Sequence, residues 1–369
     1  MTQEIVDLGA AWHYRLERRL ARSSFGEIWH AVWLQNGKAV ALKRLDRSVK
    51  QHPDLERLRV ETLGREMAVY RCLGEGLHFA RHLHDGEVDG CPVIVLELLD
   101  GDLNHWLDRK GLPLPPMEVL AWVRQLAVAL DWMHRHGRCH LDLKPGNLLY
   151  RELGEGIPPV LKLADFGLAL DCHDGLAEHQ IPGSLGWMAP EQVFPESFTA
   201  GQMPVYRSDQ RADVFVLGLL LYYLLTGKKT AFAQTTETLL RNDPEALHWI
   251  RPGDFSQYAF GNEECSQLSG AATGNTASMA APPSRGTWIP GCRGRPEKKP
   301  DFEIPTPERA SEQAVDKAAF FPLLQCLLVP DPNRRPGSAT EVLAILDSIM
   351  APGQHKSEVQ QAAIRCDKE

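Results

Sequence analysis

The stretch His140-Leu141-Asp142-Leu143-Lys144-Pro145-Gly146-Asn147 carries a carboxylate, an ammonium and a side-chain amide. Pro145-Gly146 rules out a helix, so these groups sit on a loop. Asp165-Phe166-Gly167 follows a strand-like run at residues 160–163. Hard cations such as Mg²⁺ take oxygen ligands from carboxylates, amides and phosphates. Asn147 and Asp165 meet that need. Asp142 is then left to accept a proton from an attacking hydroxyl. Lys144 can offset charge on a phosphoryl group in transit.

Other elements must hold these residues. Strand-like runs at 28–32 and 39–45 flank Asn36-Gly37, a strong hairpin signal. Residues 14–20 alternate weakly, and 93–99 read as a buried strand. Leu58, Leu63, Met67, Tyr70 and Leu73 recur at helical spacing over 55–73. From residue 116 helices dominate. Residues 119–134 set Leu120, Val123, Leu126, Ala127, Leu130 and Met133 on one side. The apolar run 214–225 stops at Thr226-Gly227, and 320–328 and 340–349 are further helices. Short strands are expected at 148–150 and 160–163.

The reading is an α+β fold: a strand-rich lobe over about 14–97, a junction near 98–103, and a larger helical lobe over about 103–350. The cleft between lobes is the natural place for a small ligand. Residues 257–307 are rich in Ser, Gly, Ala, Pro and Thr without period, which predicts a flexible insertion and a possible partner site. Residues 351–369 read as a polar tail.

The net charge of −8 gives no reason to expect nucleic-acid binding. The eight cysteines are scattered, which predicts free thiols rather than a zinc site or a disulfide framework. His78, His82 and His84 lack a complete metal-ligand set. The mixed, acidic N-terminal residues are not expected to act as a signal peptide. The run 214–225 is shorter than the roughly 20 residues of a membrane span. A soluble, cytoplasmic protein is expected.

Together the motifs resemble the eukaryotic-type protein kinase family, over about residues 14–349. The resemblance implies a bilobal fold and transfer of the ATP γ-phosphoryl group to a protein Ser or Thr. It makes Asp142 the base, Lys144 a phosphate contact, and Asn147 and Asp165 the ligands of Mg²⁺ or Mn²⁺. Val40-Ala41-Leu42-Lys43 is similar to the family's third-strand lysine motif, so Lys43 would hold the α- and β-phosphates. Gly64-Arg65-Glu66 resembles the helix that supplies its partner. Glu66 is assigned that place, with Glu61 the alternative. Ala189-Pro190-Glu191 resembles the end of the activation segment. Asp213-Val214-Phe215 resembles the start of the large buried helix. Arg335 lies in a stretch like the closing arginine motif and would pair with Glu191. Ala41 and Leu149 would flank adenine, with its edge on the backbone near Glu97 and Leu99. Asp102 would lie near the ribose, or else cap a helix. Lys144 and Ser184 resemble the Ser/Thr rather than the Tyr branch.

Three departures stand out. The glycine-rich loop falls on Ala21, Ser23, Phe25, Gly26 and Ile28, and keeps only its third glycine. Leu141 replaces the arginine that would pair with a phosphorylated activation loop, and residues 168–182 contain no Ser, Thr or Tyr. Both point away from control by phosphorylation of that loop. Asp213 and Arg335 are also separated by far more chain than the family needs, a surplus that coincides with 257–307. The competing readings are a pseudokinase scaffold, favoured by the poor glycine loop, and a small-molecule kinase of related fold.

Overall fold

The computed structural model describes residues 4–9, 11–22, 26–46, 53–73, 76, 78–154, 157, 159–171, 183–196, 205–242 and 317–350. Ser23, Phe25, the expected insertion at 257–307 and the polar tail at 351–369 lie outside them.

Strands β1 (Ile5–Asp7), β2 (His13–Arg22), β3 (Glu27–Trp33), β4 (Ala39–Arg44), β5 (His82–Val88) and β6 (Cys91–Glu97) form one antiparallel sheet. Its order is β1-β2-β3-β4-β6-β5. Asn36-Gly37 turns β3 into β4, with Gly37 at φ 70°, a value glycine adopts without strain. The two-residue period of β4 sorts its side chains. Val40 and Leu42 enter an outer core with Tyr14, Leu16, Ala31, Val93 and Val95. Ala41 packs against the main core, and Lys43 faces the opposite way from Leu42.

The N-terminal segment closes the outer face. Val6 is buried there, and Leu8 lies over Gly86, where an added Cβ would meet it at 3.2 Å. Trp12 stacks on Trp33 with ring centroids 4.6 Å apart. Arg44 joins the layers through ion pairs to Glu4 and Glu27.

Helix α1 (Pro53–Leu73) crosses the other face. It starts on proline, whose missing N–H costs nothing there, and has Asp54 and Glu56 in its first turn. Its buried stripe, Leu63, Glu66, Val69, Tyr70 and Leu73, has helical spacing. Beyond the sheet come β7 (Gly101–Asp102), α2 (Leu103–Lys110), α3 (Pro116–Arg135) and β8 (Arg138–Cys139). Strands β9 (Leu148–Arg151), β10 (Val160–Leu163) and β11 (Leu170–Asp171) follow, then α4 (Pro190–Val193), α5 (Gln210–Thr226), α6 (Ala231–Asn242), α7 (Phe321–Leu327) and α8 (Ala339–Met350). Sheet β10-β9-β7 and the pair β11-β8 frame the loops between them.

Helix α5 is apolar almost all round, so it is buried almost all round. Asp209 caps its start and Gly227, at φ 75°, ends it. Gly218 lets α7 approach, since an added Cβ would lie 2.8 Å from Leu327 Cβ. Among the described residues no single helix is long and apolar enough to cross a membrane. The one pair that passes together, α5 with α6, is bent by 109°.

The expectation of free thiols needs one correction. Among the described cysteines Cys72, Cys91 and Cys326 are free, but Cys139 is disulfide-bonded.

Candidate active site

Lys43 projects from β4 between two carboxylates. Its Nζ lies 2.6 Å from Glu66 Oε2 and 2.8 Å from Asp165 Oδ1. Register fixes the lysine, since Lys43 stands opposite Ile28 on β3 and Ile94 on β6. The stripe on α1 fixes Glu66. Burial pushes the Lys43 ammonium down, but Asp165 and Glu66 outweigh it and hold its pKa above the ordinary value. Burial pushes Glu66 up to about 7, against the pull of Lys43. Asp165 stays below the usual carboxylate range: burial raises it, and Lys43, then Lys144 and His140, lower it further. Glu61, the alternative partner, is on the exposed side of α1 and pairs with Arg57.

The residues of the 140–147 loop converge on Asp142, which is buried. Its Oδ2 accepts from Lys144 Nζ at 2.7 Å and from Asn147 Nδ2 at 3.0 Å. Its Oδ1 is buried with no hydrogen-bond partner among the described residues. Lys144 Nζ also donates to Ser184 Oγ at 2.6 Å, bringing the far end of the activation segment to the loop. Asn147 Nδ2 donates as well to the Asp142 carbonyl, which leaves its Oδ1 as an oxygen donor.

The loop is held from below. Asp213 accepts the backbone N–H groups of His140 and Leu141, each at 2.8 Å, and meets His134 Nε2 at 2.9 Å. Asp142 N–H donates to His140 Nδ1, so Nε2 carries the proton and donates to the Ala164 carbonyl. Leu141 and Asp165 both sit at φ 62°, a conformation that costs about 1–3 kcal/mol outside glycine. Phe166 is fully buried against Tyr70, Phe79 and His140. Gln192 Nε2 donates to the Leu141 carbonyl. Glu191 takes Arg335 in a two-pronged pair at 2.6 and 2.8 Å.

The remaining candidates are more spread. Ala41 and Leu149 are partly buried and pack on the main core. Leu99 packs there as well, while the Glu97 carboxylate points to Lys162 and the Arg81 N–H. Asp102 caps α2, its Oδ1 accepting from His105 N–H at 2.9 Å. Ala21 and Ile28 face each other across β2 and β3. Gly26 has a packing reason to be glycine, because an added Cβ would stand 2.4 Å from the Arg44 carbonyl oxygen.

The family model for the protein kinase domain matches residues 14–345. The chain belongs to that family. It is 34% identical over 218 residues to the serine/threonine-protein kinase PknE of Mycobacterium bovis, covering 58% of this chain and 35% of the relative. It is 29% identical over 228 residues to the serine/threonine-protein kinase PknA of Mycobacterium tuberculosis, covering 61% and 49%. A CBL-interacting protein kinase of Oryza sativa is 32% identical over 220 residues, covering 58% and 44%. The chain thus spans half or less of the length of these relatives. The kinase family accounts for the bilobal architecture, a curled sheet beside a helical lobe. Two supports escape a motif reading: His134 and Gln192. His134 ends a stretch that reads simply as helix and Gln192 directly follows the Ala189-Pro190-Glu191 motif, and their roles come from what α3 and α4 pack against.

Proposed function

We propose that the chain is a Ser/Thr protein kinase that moves the ATP γ-phosphoryl group to a protein hydroxyl. The observation that carries this is Asp142, whose Oδ2 is fixed by Lys144 and Asn147 while its buried Oδ1 has no partner among the described residues. A buried acceptor without a partner is costly unless something fills it. A substrate hydroxyl would, and Asp142 Oδ1 would orient it and take its proton. Lys144 and Ser184 flank that position from the peptide side.

Lys43, held by Glu66, would face the α- and β-phosphates. The adenine would lie between Ala41 and Leu149, against backbone near Glu97 and Leu99. The donors at the phosphate end are oxygens, Asn147 Oδ1 and an ionised Asp165, which suits Mg²⁺ or Mn²⁺. Such a cation supplies neutralisation of phosphate charge when bound. Asp102 serves the helix cap first, and a ribose contact would use its other oxygen.

Activity is proposed to be independent of activation-loop phosphorylation, because that stretch offers no hydroxyl and Leu141 no guanidinium. We place the chain in the cytoplasm on composition alone. The test is transfer of label from γ-labelled ATP to a generic basic protein, beside Asp142→Ala. Label on Ser or Thr that requires Asp142 is expected. No label and no thermal shift with Mg²⁺-ATP would instead favour the scaffold reading, with Ala21 in place of a loop glycine as its cause. Phosphatase treatment is expected to leave the rate unchanged.

A further inference from the structure

Residues 184–187 form a turn beside the loop that carries Asp142. Ser184 is bonded to Lys144, and the Trp187 N–H donates back to the Ser184 carbonyl at 2.9 Å. Gly186 completes the turn at φ 77°. It has no room for a side chain, because an added Cβ would stand 2.6 Å from both Lys229 Nζ and Glu237 Oε2. Lys229 directly precedes Thr230, whose Oγ1 accepts the Ala233 N–H in the first turn of α6. Gln234 Nε2 donates to the Lys229 carbonyl at 2.6 Å, so the backbone of Lys229 is fixed. Its ammonium pairs with Glu237 and lies 5.3 Å over the Trp187 ring. Trp187 packs edge-on against Tyr223.

Charge beside this turn is unbalanced. Residues 228–241 hold three cations, Lys228, Lys229 and Arg241, against one carboxylate, Glu237. Glu237 already serves two of them, Lys229 through Oε2 and Arg241 through Oε1. Burial raises its pKa, but Lys229 and Arg241 outweigh burial and hold it below the ordinary value, so it stays ionised. Lys228 is exposed and makes no ion pair among the described residues. The start of a helix is the wrong end for cations, so the dipole of α6 gives no reason for Lys228 and Lys229 to stand there. The ends of a β-turn lie within about 7 Å of each other, and an extended peptide advances about 3.3 Å per residue. We infer that Lys229, held by Glu237 and Trp187, is a specificity residue that selects an acidic side chain about two or three residues from the acceptor Ser or Thr. The inference rests on the kinase reading above and narrows its substrate class. An ammonium has three donors, so Lys229 can meet a second carboxylate without leaving Glu237.

The experiment uses the full chain and peptides of one sequence with a single acceptor Ser. Glu, Gln or Lys stands two and three residues away on both sides. Label transfer, read as kcat/KM, should favour the Glu peptide over the Gln peptide about fivefold, the scale of one half-exposed ion pair. The Lys peptide should be the poorest. In Lys229→Gln the Glu-to-Gln ratio should fall toward one, and Lys229→Arg should keep it. A lysine that only braced Trp187 would leave the ratio untouched, because both peptides meet the same folded chain. Equal rates for the Glu and Gln peptides, a preference for Lys, or a Glu preference that survives Lys229→Gln overturns the inference. If no peptide is labelled, the kinase reading fails separately, and fluorescence anisotropy of the dye-tagged peptides decides. Tighter binding of the Glu peptide that Lys229→Gln abolishes supports the site, and equal or undetectable binding overturns it.

Discussion

Asp213 Oδ1 accepts the backbone N–H of Leu141 at 2.8 Å, while Leu141 sits at φ 62°. The carboxylate's other oxygen serves His140 N–H and His134 Nε2. One buried side chain thus offsets the strain of the backbone that presents Asp142. In Asp213→Asn an NH₂ group would face a backbone N–H. A buried donor left unmet costs about 1–3 kcal/mol. Urea denaturation should show a loss of that size, and label transfer should fall further than stability alone explains.

Lys43 is expected to matter through charge rather than bulk. Lys43→Met would leave the carboxylates of Glu66 and Asp165 without the ammonium between them. Removing a preorganised charge donor costs on the order of 10²-fold in rate. Initial-rate kinetics should show that loss, together with a smaller Mg²⁺-ATP thermal shift.

Glu66 gives the fold a pH signature. Burial raises its pKa from the ordinary value of 4.5 to about 7 in the folded chain. The folded state therefore binds more protons between those values. Its stabilising contribution is full below about 4.5 and is lost as pH rises to about 7. Asp165, lowered from 3.8, acts in the opposite sense, losing its contribution as pH falls below that value. Denaturation of the nucleotide-free chain at stepped pH should show a decline from 4.5 to 7 that Glu66→Gln flattens.

The Glu191–Arg335 pair should be structural first. Arg335 also donates to the Val329, Pro330 and Arg211 carbonyls and lies 4.6 Å over the Phe215 ring. Glu191→Ala would leave a buried guanidinium without its carboxylate, at a cost of about 3–5 kcal/mol. Thermal unfolding checks it. A loss under about 1 kcal/mol would mean that the carbonyls suffice.

Much of the site is legible in the sequence because loop chemistry is dense. Asp142, Lys144 and Asn147 crowd a stretch in which Pro145-Gly146 excludes helix, and the fold brings all three side chains within hydrogen-bond range. Lys43 and Glu66 are legible through the strand and helix periods. The strand β1 is not, because three residues with one buried side chain make no alternation. β5 is half exposed along its length, as an edge strand is, so His82, His84 and Asp85 hide its extended form. Asp213 is visible as the start of a helix, but its hold on the loop depends on contacts 72 and 73 positions away.

The strap formed by Val6, Leu8 and Trp12 separates two boundaries that are easily equated. Family likeness begins at Tyr14, yet the outer core of the sheet is finished by residues before it. A chain trimmed to begin at Tyr14 would keep every group proposed to touch the nucleotide. It would also bare an oily plate, with the Trp33 ring uncovered and Gly86 facing water. Its failure would look like clumping in the tube rather than lost chemistry. What is shared with relatives and what must fold together are different stretches of this chain.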